Sequence, residues 1–332
     1  LEPRPRQIVL TGSGSSLYAG ECAAPALQQA LGIATQAIAA GSLLTHAAGL
    51  LPPGPGLLIS LARSGDSPES DAVVSQTLAQ APDYRHLIVT CHAQGRLATR
   101  YAGHPQAEVL LLAERTNDRS LVMTSSFTNL LLAASGLADG RPSAVAVRAL
   151  AEGVQRIYDE DAGALAALAR QELGTVVYLG SGGALGAARE AALKMLEMTG
   201  GQVRTVAETF LGLRHGPMSS LREDSLVVAF LSEDARVRGY ELDLLEELSR
   251  KRLGRRRVLV GSALSNRPQD GDAVHVALPA LPVAEPALTA IAQVAVGQLL
   301  ALFRCLAVGQ RPDAPSQGVL TRVVGQFAIH GG

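Results

Sequence analysis

The chain of 332 residues carries 29 basic and 30 acidic side chains, a net charge of -1, and is 47% hydrophobic but only 3% aromatic. Charges this balanced and aromatics this scarce leave neither a basic stripe nor a stacking platform, which argues against a nucleic-acid partner. The length and apolar content suffice for two ordinary cores, and three cysteines without CxxC or Cys/His spacing (Cys22, Cys91, Cys305) read as buried hydrophobes of a reducing, cytoplasmic protein.

The opening LEPRPRQ has no signal-peptide character and lacks an initiator Met, which reads as a trimmed start. Short apolar runs then recur: 8-IVL-10, 57-LLIS-60, 87-LIVT-90, 108-EVLLL-112, 176-VVYL-179, 226-LVVAF-230 and 258-VLV-260, with 33-IATQAIAA-40 as a further strand-like segment. Ala/Leu-rich stretches at helical spacing follow them. Continuous apolar strands separated by helices point to doubly wound parallel sheets of an α/β protein, covered on both faces. A polar Gly/Pro turn at 138-ADGRPSAV-145 reads as a linker, with a helix over 145–170, and divides the chain into domains 1–142 and 143–332. The run 287–309 is interrupted by Gln293, Gln298 and Arg304, so it reads as a buried helix of a domain or subunit interface and not as a membrane span.

A repeat underlies this order. The segment 12-GSGSSLYAG-20 is echoed by 180-GSGGALGAA-188, an offset of 168 residues, and the same offset carries Ser64 onto Ser232. Two copies of one fold follow. The first copy has 64-SGDSP-68 at a strand end, where the second has Ser-Glu-Asp-Ala, with an added acid and one hydroxyl fewer. Phosphate is therefore expected only in the first copy: from the Ser64 and Ser67 hydroxyls at a helix start with Pro68 in its first turn, and from the neighbouring turn of Gly14, Ser15 and Ser16. Simple helix capping is the alternative for the Ser-Gly-Asp-Ser loop. The first turn lacks the third glycine and the ribose-binding acid of a dinucleotide site; Gly180, Gly182 and Gly186 match better and keep a dinucleotide as a minor alternative.

In 190-EAALKMLEMTGG-201, Glu190, Lys194 and Glu197 line one helical face, which alone would be an ordinary exposed, salt-bridged surface. The following 208-ETFLGLRHGPMSSL-221 sets His215 in a Gly/Pro loop, free to exchange a proton near neutral pH.

Taken in order with "MTSSFTNLLLAA" (123–134), "LRHGPMSS" (213–220) and the tail "DAPSQGVLTRVVGQFAIH" (313–330), these motifs resemble tandem sugar isomerase (SIS) domain proteins, and within them the galactosamine-6-phosphate deaminase and tagatose-6-phosphate ketose/aldose isomerase group. The resemblance implies two flavodoxin-like domains and phosphate contacts from Ser15, Ser16, Ser64 and Ser67. It makes Glu197 the acid/base between sugar carbons, His215 the ring-opening histidine that enters from a partner subunit, and Lys194 a support for the reacting end. Some relatives carry a catalytic lysine in the tail; this tail has none, and Arg322 is its nearest basic residue. Ala62 stands where relatives often have serine, and Thr124 and Ser125 are candidates for sugar hydroxyls.

The expected activity is conversion of a 6-phosphorylated aldohexosamine, galactosamine favoured, to the ketose phosphate with release of ammonia, by a homodimer without metal or cofactor. The alternatives are an isomerase of an unaminated sugar phosphate, such as tagatose 6-phosphate, and a non-catalytic phosphosugar-binding regulator.

Overall fold

The computed structural model describes residues 4–139, 143–262, 273–279, 281, 286–315, 318–325 and 328–330. It divides into one unit of residues 1–141 and 318–332 and a second of residues 142–317.

The first unit runs β1 (Gln7–Gly12), α1 (Ser15–Leu31), β2 (Ala34–Ala39), α2 (Ala40–Leu50), β3 (Gly56–Ala62), α3 (Pro68–Gln80), β4 (Tyr84–Thr90), α4 (Arg96–Tyr101), β5 (Ala107–Leu111) and α5 (Ser125–Asp139). Its strands are all parallel, in the order β2-β1-β3-β4-β5. The second unit runs α6 (Ala144–Arg156), a π-helical segment (Ile157–Asp161), α7 (Ala162–Ala169), β6 (Thr175–Leu179), α8 (Gly183–Met198), β7 (Arg204–Glu208), α9 (Phe210–Leu213), β8 (Ser225–Phe230), α10 (Ala235–Arg250), β9 (Arg256–Gly261), β10 (Ala273–Ala277) and α11 (Pro286–Ala307). Its order, β7-β6-β8-β9-β10, repeats that of the first sheet.

The strand order explains the pattern of apolar runs. β1, β3, β6 and β8 lie inside their sheets under helices on both faces and are buried at every position. The edge strands β2 and β7 are only partly buried and carry polar residues within Ala-Thr-Gln-Ala-Ile-Ala and Arg-Thr-Val-Ala-Glu. In each unit the chain leaves the first strand, adds one neighbour, and returns to the other side, which opens a crevice at the carboxyl ends of β1/β3 and of β6/β8.

One feature departs from the sequence reading. Residues 318–332 return to the first unit, so the second does not extend to residue 332; the Arg322 guanidinium bonds the Asn117–Asp118 loop there. Within the 138–145 linker, residues 140–142 lie outside the described part. Helix α11 is the one described helix long and apolar enough to cross a membrane, and most of it is buried. It spends that face inside its own unit, against α8 and α7, so its apolarity gives no argument for a subunit interface. At Gly297 a Cβ would stand 2.5 Å from that of Ala191 on α8, so the glycine permits the close approach that fixes α8.

His86 on β4 is buried, and neither ring nitrogen has a hydrogen-bond partner among the described residues. Burial, helped by the charge of His104, lowers its pKa from 6.5 to about 4. Because the folded pKa is the lower one, the unfolded chain binds the extra proton between the two values. Stability is expected to hold above the unfolded pKa and to fall by about 3 kcal/mol as pH drops to the folded one. Urea unfolding of wild type and His86→Leu at neutral and acid pH checks this; the variant should lose less stability on acidification.

Candidate active site

In the first unit, two hydroxyl-bearing loops leave adjacent strand ends. β1 pairs with β3 up to Thr11 and Ser60, so the Gly14-Ser15-Ser16 turn and the Ser64–Ser67 loop emerge side by side at the crevice. Gly14 adopts φ 55, ψ -126 as the N-cap of α1, a conformation that requires glycine. Ser15 and Ser16 follow as buried residues in the first turn of α1. Across the crevice Ser67 caps α3, with Pro68 in the first turn, yet its hydroxyl makes no capping bond. That leaves the Ser67 hydroxyl for a ligand, which the capping alternative would not. Ser64 is buried, and its Oγ accepts from the Asp66 amide at 3.3 Å. Asp66 accepts from the Arg96 amide at the start of α4, at 2.8 Å. Two helix starts with hydroxyl-bearing residues beside them are the features that suit a crevice to an anion.

Behind the loop lies a network that the sequence did not announce. Buried Arg63 donates to the carbonyls of Ser120 and Leu121 at 3.1 and 2.9 Å, and to that of Arg322. Arg322 in turn donates from Nε to the Asp118 carbonyl at 2.7 Å, and to Asn117 Oδ1. The tail is thus fastened to the loop ahead of α5. Thr124 and Ser125 stand at the start of α5, where the Asp118 carboxylate accepts from the amides of Thr124, Ser125 and Ser126 and from the Thr124 hydroxyl. Burial raises the Asp118 pKa, but these amides and hydroxyls outweigh it and hold the carboxyl below its usual range.

In the second unit, α8 brings Glu190, Lys194 and Glu197 together as expected, but not on a solvated face. Glu190 and Lys194 are 0% and 2% exposed, and Glu197 alone reaches the surface, at 18%. The Lys194 ammonium lies 2.6 Å from Glu197 and 3.4 Å from Glu190. Burial pushes Lys194 down, but the two carboxylates more than offset this and hold it protonated, above its ordinary value. Buried and donating to Glu197, Lys194 orients that carboxylate and does not itself face solvent.

His215 lies between α9 and the short helical turn Pro217–Ser220, with its side chain exposed. Its amide donates to the Gly212 carbonyl at 2.9 Å, and Thr209 caps α9 by accepting from the Gly212 amide at 2.9 Å. Next to it, Arg214 donates to Glu247 on α10 at 2.6 Å. Hydrogen bonds from Lys251 and Arg214 hold the Glu247 carboxyl down at about 2, so this anchor stays charged through the physiological range. No hydrogen bond among the described residues fixes the imidazole. The phosphate loops and the Glu197/His215 groups belong to different units.

No protein-family model matches the chain. It is 40% identical, over 98% of its length and 85% of the relative's, to a Streptomyces coelicolor protein carried under the provisional name D-galactosamine-6-phosphate deaminase AgaS. It is 36% identical, over 99% of its length and 88% of the relative's, to the Escherichia coli D-galactosamine-6-phosphate deaminase AgaS. The crystal structure of the tagatose-6-phosphate ketose/aldose isomerase from Escherichia coli superposes with a TM-score of 0.87 at 32% identity, covering 99% of this chain and 87% of that one.

Proposed function

Because the chain belongs to the family of AgaS D-galactosamine-6-phosphate deaminases and tagatose-6-phosphate ketose/aldose isomerases, we propose that it converts a 6-phosphorylated aldohexosamine, galactosamine favoured, and water to the ketose 6-phosphate and ammonia. The observation that carries this reading is the Glu190–Lys194–Glu197 row, in which one carboxylate reaches solvent while a buried ammonium holds it. A phosphosugar sensor has no use for a solvent-reaching carboxylate positioned at such cost.

The chemistry follows from these groups. The phosphate is held by Ser15, Ser16, Ser64, Ser67 and the amides around Gly14. His215 moves a proton between the ring and anomeric oxygens, which opens the sugar to its aldehyde. The Glu197 carboxylate takes the C2 proton, and the C1 oxygen gains one as the enolamine forms. Glu197 then returns its proton to C1 as the nitrogen loses one, leaving a C2 ketimine. Water adds to C2 and ammonia departs, so the net change is hydrolytic. Lys194 is a positioning residue for Glu197, and Thr124, Ser125 and Arg322 shape the sugar end. The same reading makes the protein a cytoplasmic homodimer, with His215 supplied across the interface.

Ammonia release from galactosamine 6-phosphate, glucosamine 6-phosphate and, as ketose formation, from unaminated galactose 6-phosphate tests the proposal in one panel. Fastest ammonia from the galacto sugar supports it; turnover of the unaminated sugar alone would make the protein a plain isomerase. The His215 loop gives a second check. Arg214→Ala removes the loop's tie to Glu247, and kcat is expected to fall by about 10- to 100-fold with KM unchanged, because misplacement of a proton-transfer group affects the reacting geometry.

A further inference from the structure

We infer that Glu241 is a built-in anion that permanently occupies the second unit's copy of the phosphate crevice, so that each chain holds one phosphate and not two. The two crevices have the same frame. Gly182 adopts φ 57, ψ -128, against φ 55, ψ -126 at Gly14, and both glycines cap the helix that follows the first strand of a sheet with the same strand order. What differs is the side chains. Over the 168-residue offset, Ser15, Ser16 and Ser67 become Gly183, Ala184 and Ala235, so three hydroxyls disappear.

A carboxylate has arrived in their place. Glu241 on α10 is 1% exposed. Its Oε1 accepts from the Ser181 hydroxyl, in the turn after β6, at 2.7 Å. Its Oε2 accepts from the Ser232 amide, in the loop after β8, at 2.8 Å. One carboxylate therefore joins the two loops whose counterparts flank the crevice of the first unit. The corresponding residue of α3 is Val73 by the offset, or Val74 counted from the helix starts, and both are buried hydrophobes. In the first unit Ser13, the counterpart of Ser181, donates to Glu69 at 3.4 Å, but Glu69 stands in the first turn of α3, and no bond among the described residues carries it on to the Ser64 loop as Glu241 is carried to Ser232.

The carboxylate is held by its two donors, with one guanidinium and one further acid nearby. Arg238 donates to the Ser232 carbonyl at 2.6 Å and pairs with Glu233 at 3.3 Å. Burial, aided by the nearby Glu233, holds the Glu241 pKa above its ordinary value, although Ser181, Ser232 and Arg238 act against them. A phosphate entering here would meet a carboxylate on its own hydrogen-bond donors, and the same repulsion disposes of a dinucleotide at the Gly180-Ser181-Gly182 turn.

Chemical rescue tests the inference independently of any activity. Glu241→Ala leaves a carboxylate-sized hole with its two donors in place. Its melting temperature is expected to fall below that of wild type and to rise with added formate, whereas wild type gains nothing from formate over chloride at equal ionic strength. Where the Ala variant does not stay folded, recovery of soluble protein on refolding with and without formate is the readout. A variant that responds to formate no more than wild type would overturn the inference. Glu241→Gln fills the hole, so formate should not help it; a formate response equal to that of the Ala variant would overturn the assignment. Calorimetric titration of wild type with inorganic phosphate should find no second site per chain, and a second site would refute the closure even if the first-unit site holds.

Discussion

Glu197→Gln is expected to lower kcat for ammonia release by about 10²- to 10⁴-fold, the usual contribution of a positioned general base. Phosphosugar binding should remain close to wild type. The amide keeps the shape of the side chain and can still accept from Lys194, but it can take no proton from C2. The proposed phosphate contacts are serines of the first unit, on β1 and β3 loops that the substitution does not touch. Thermal shift with the substrate, read beside the rate, separates the two functions. An intact rate would remove Glu197 from the chemistry; loss of binding with loss of rate would mean that the carboxylate holds the substrate and does not act on it as a base.

Lys194→Met carries the largest expected effect on stability. The ammonium is buried between two carboxylates, one of which, Glu190, is 0% exposed. Removing one partner of a buried ion pair leaves charge in a low-dielectric interior and typically costs about 3–5 kcal/mol. Replacing the Lys194–Glu190 pair together by Met and Leu should recover much of that loss, since well-packed apolar side chains replace buried pairs at little cost. Denaturant unfolding of both single variants and the double variant gives the coupling. The double variant should nevertheless be slow, because Glu197 would have lost the ammonium that orients it. Additive losses across the cycle would show that Lys194 and Glu190 do not act as a pair.

Much of the architecture was legible because the central strands are buried on both faces and so appear as unbroken apolar runs, as in Leu-Val-Val-Ala-Phe of β8. The edge strands of the second sheet were harder. β7 reads Arg-Thr-Val-Ala-Glu and β10 reads Ala-Val-His-Val-Ala, five residues each and largely half-exposed, with too little apolar pattern to stand out from loop. The Glu190, Lys194 and Glu197 spacing was visible, but periodicity cannot distinguish a solvated charged face from a buried row. Only the packing of the fold decides it, and it leaves Glu190 and Lys194 0% and 2% exposed.

The polar network around the first crevice was hidden for a different reason. Arg63 is one arginine after an apolar strand, and only the fold reveals that its guanidinium reaches Ser120, Leu121 and the tail. Asp118 lies six residues before Thr124, too far for an ordinary capping pattern, yet it serves three amides at the start of α5. Glu241 was masked by its neighbours, since α10 is rich in acids and most of them face solvent. The repeat did locate Ser232; the hydrogen bond to Glu241 gives that position its meaning. The tail's return to the first unit also had no local signal, because it depends on carbonyls and an amide oxygen far away in sequence.

The most direct measurement is the mass balance of a closed reaction: purified protein with galactosamine 6-phosphate, followed until turnover stops, with ammonium and ketose 6-phosphate both quantified. Proton transfer by Glu197 followed by hydrolysis of a ketimine predicts equimolar ammonium and ketose phosphate, formed by Glu197→Gln at an initial rate lower by about 10²- to 10⁴-fold. Products formed equally well by that variant, or no ammonium at all from the wild-type protein while the sugar phosphate still raises its melting temperature, would contradict the account.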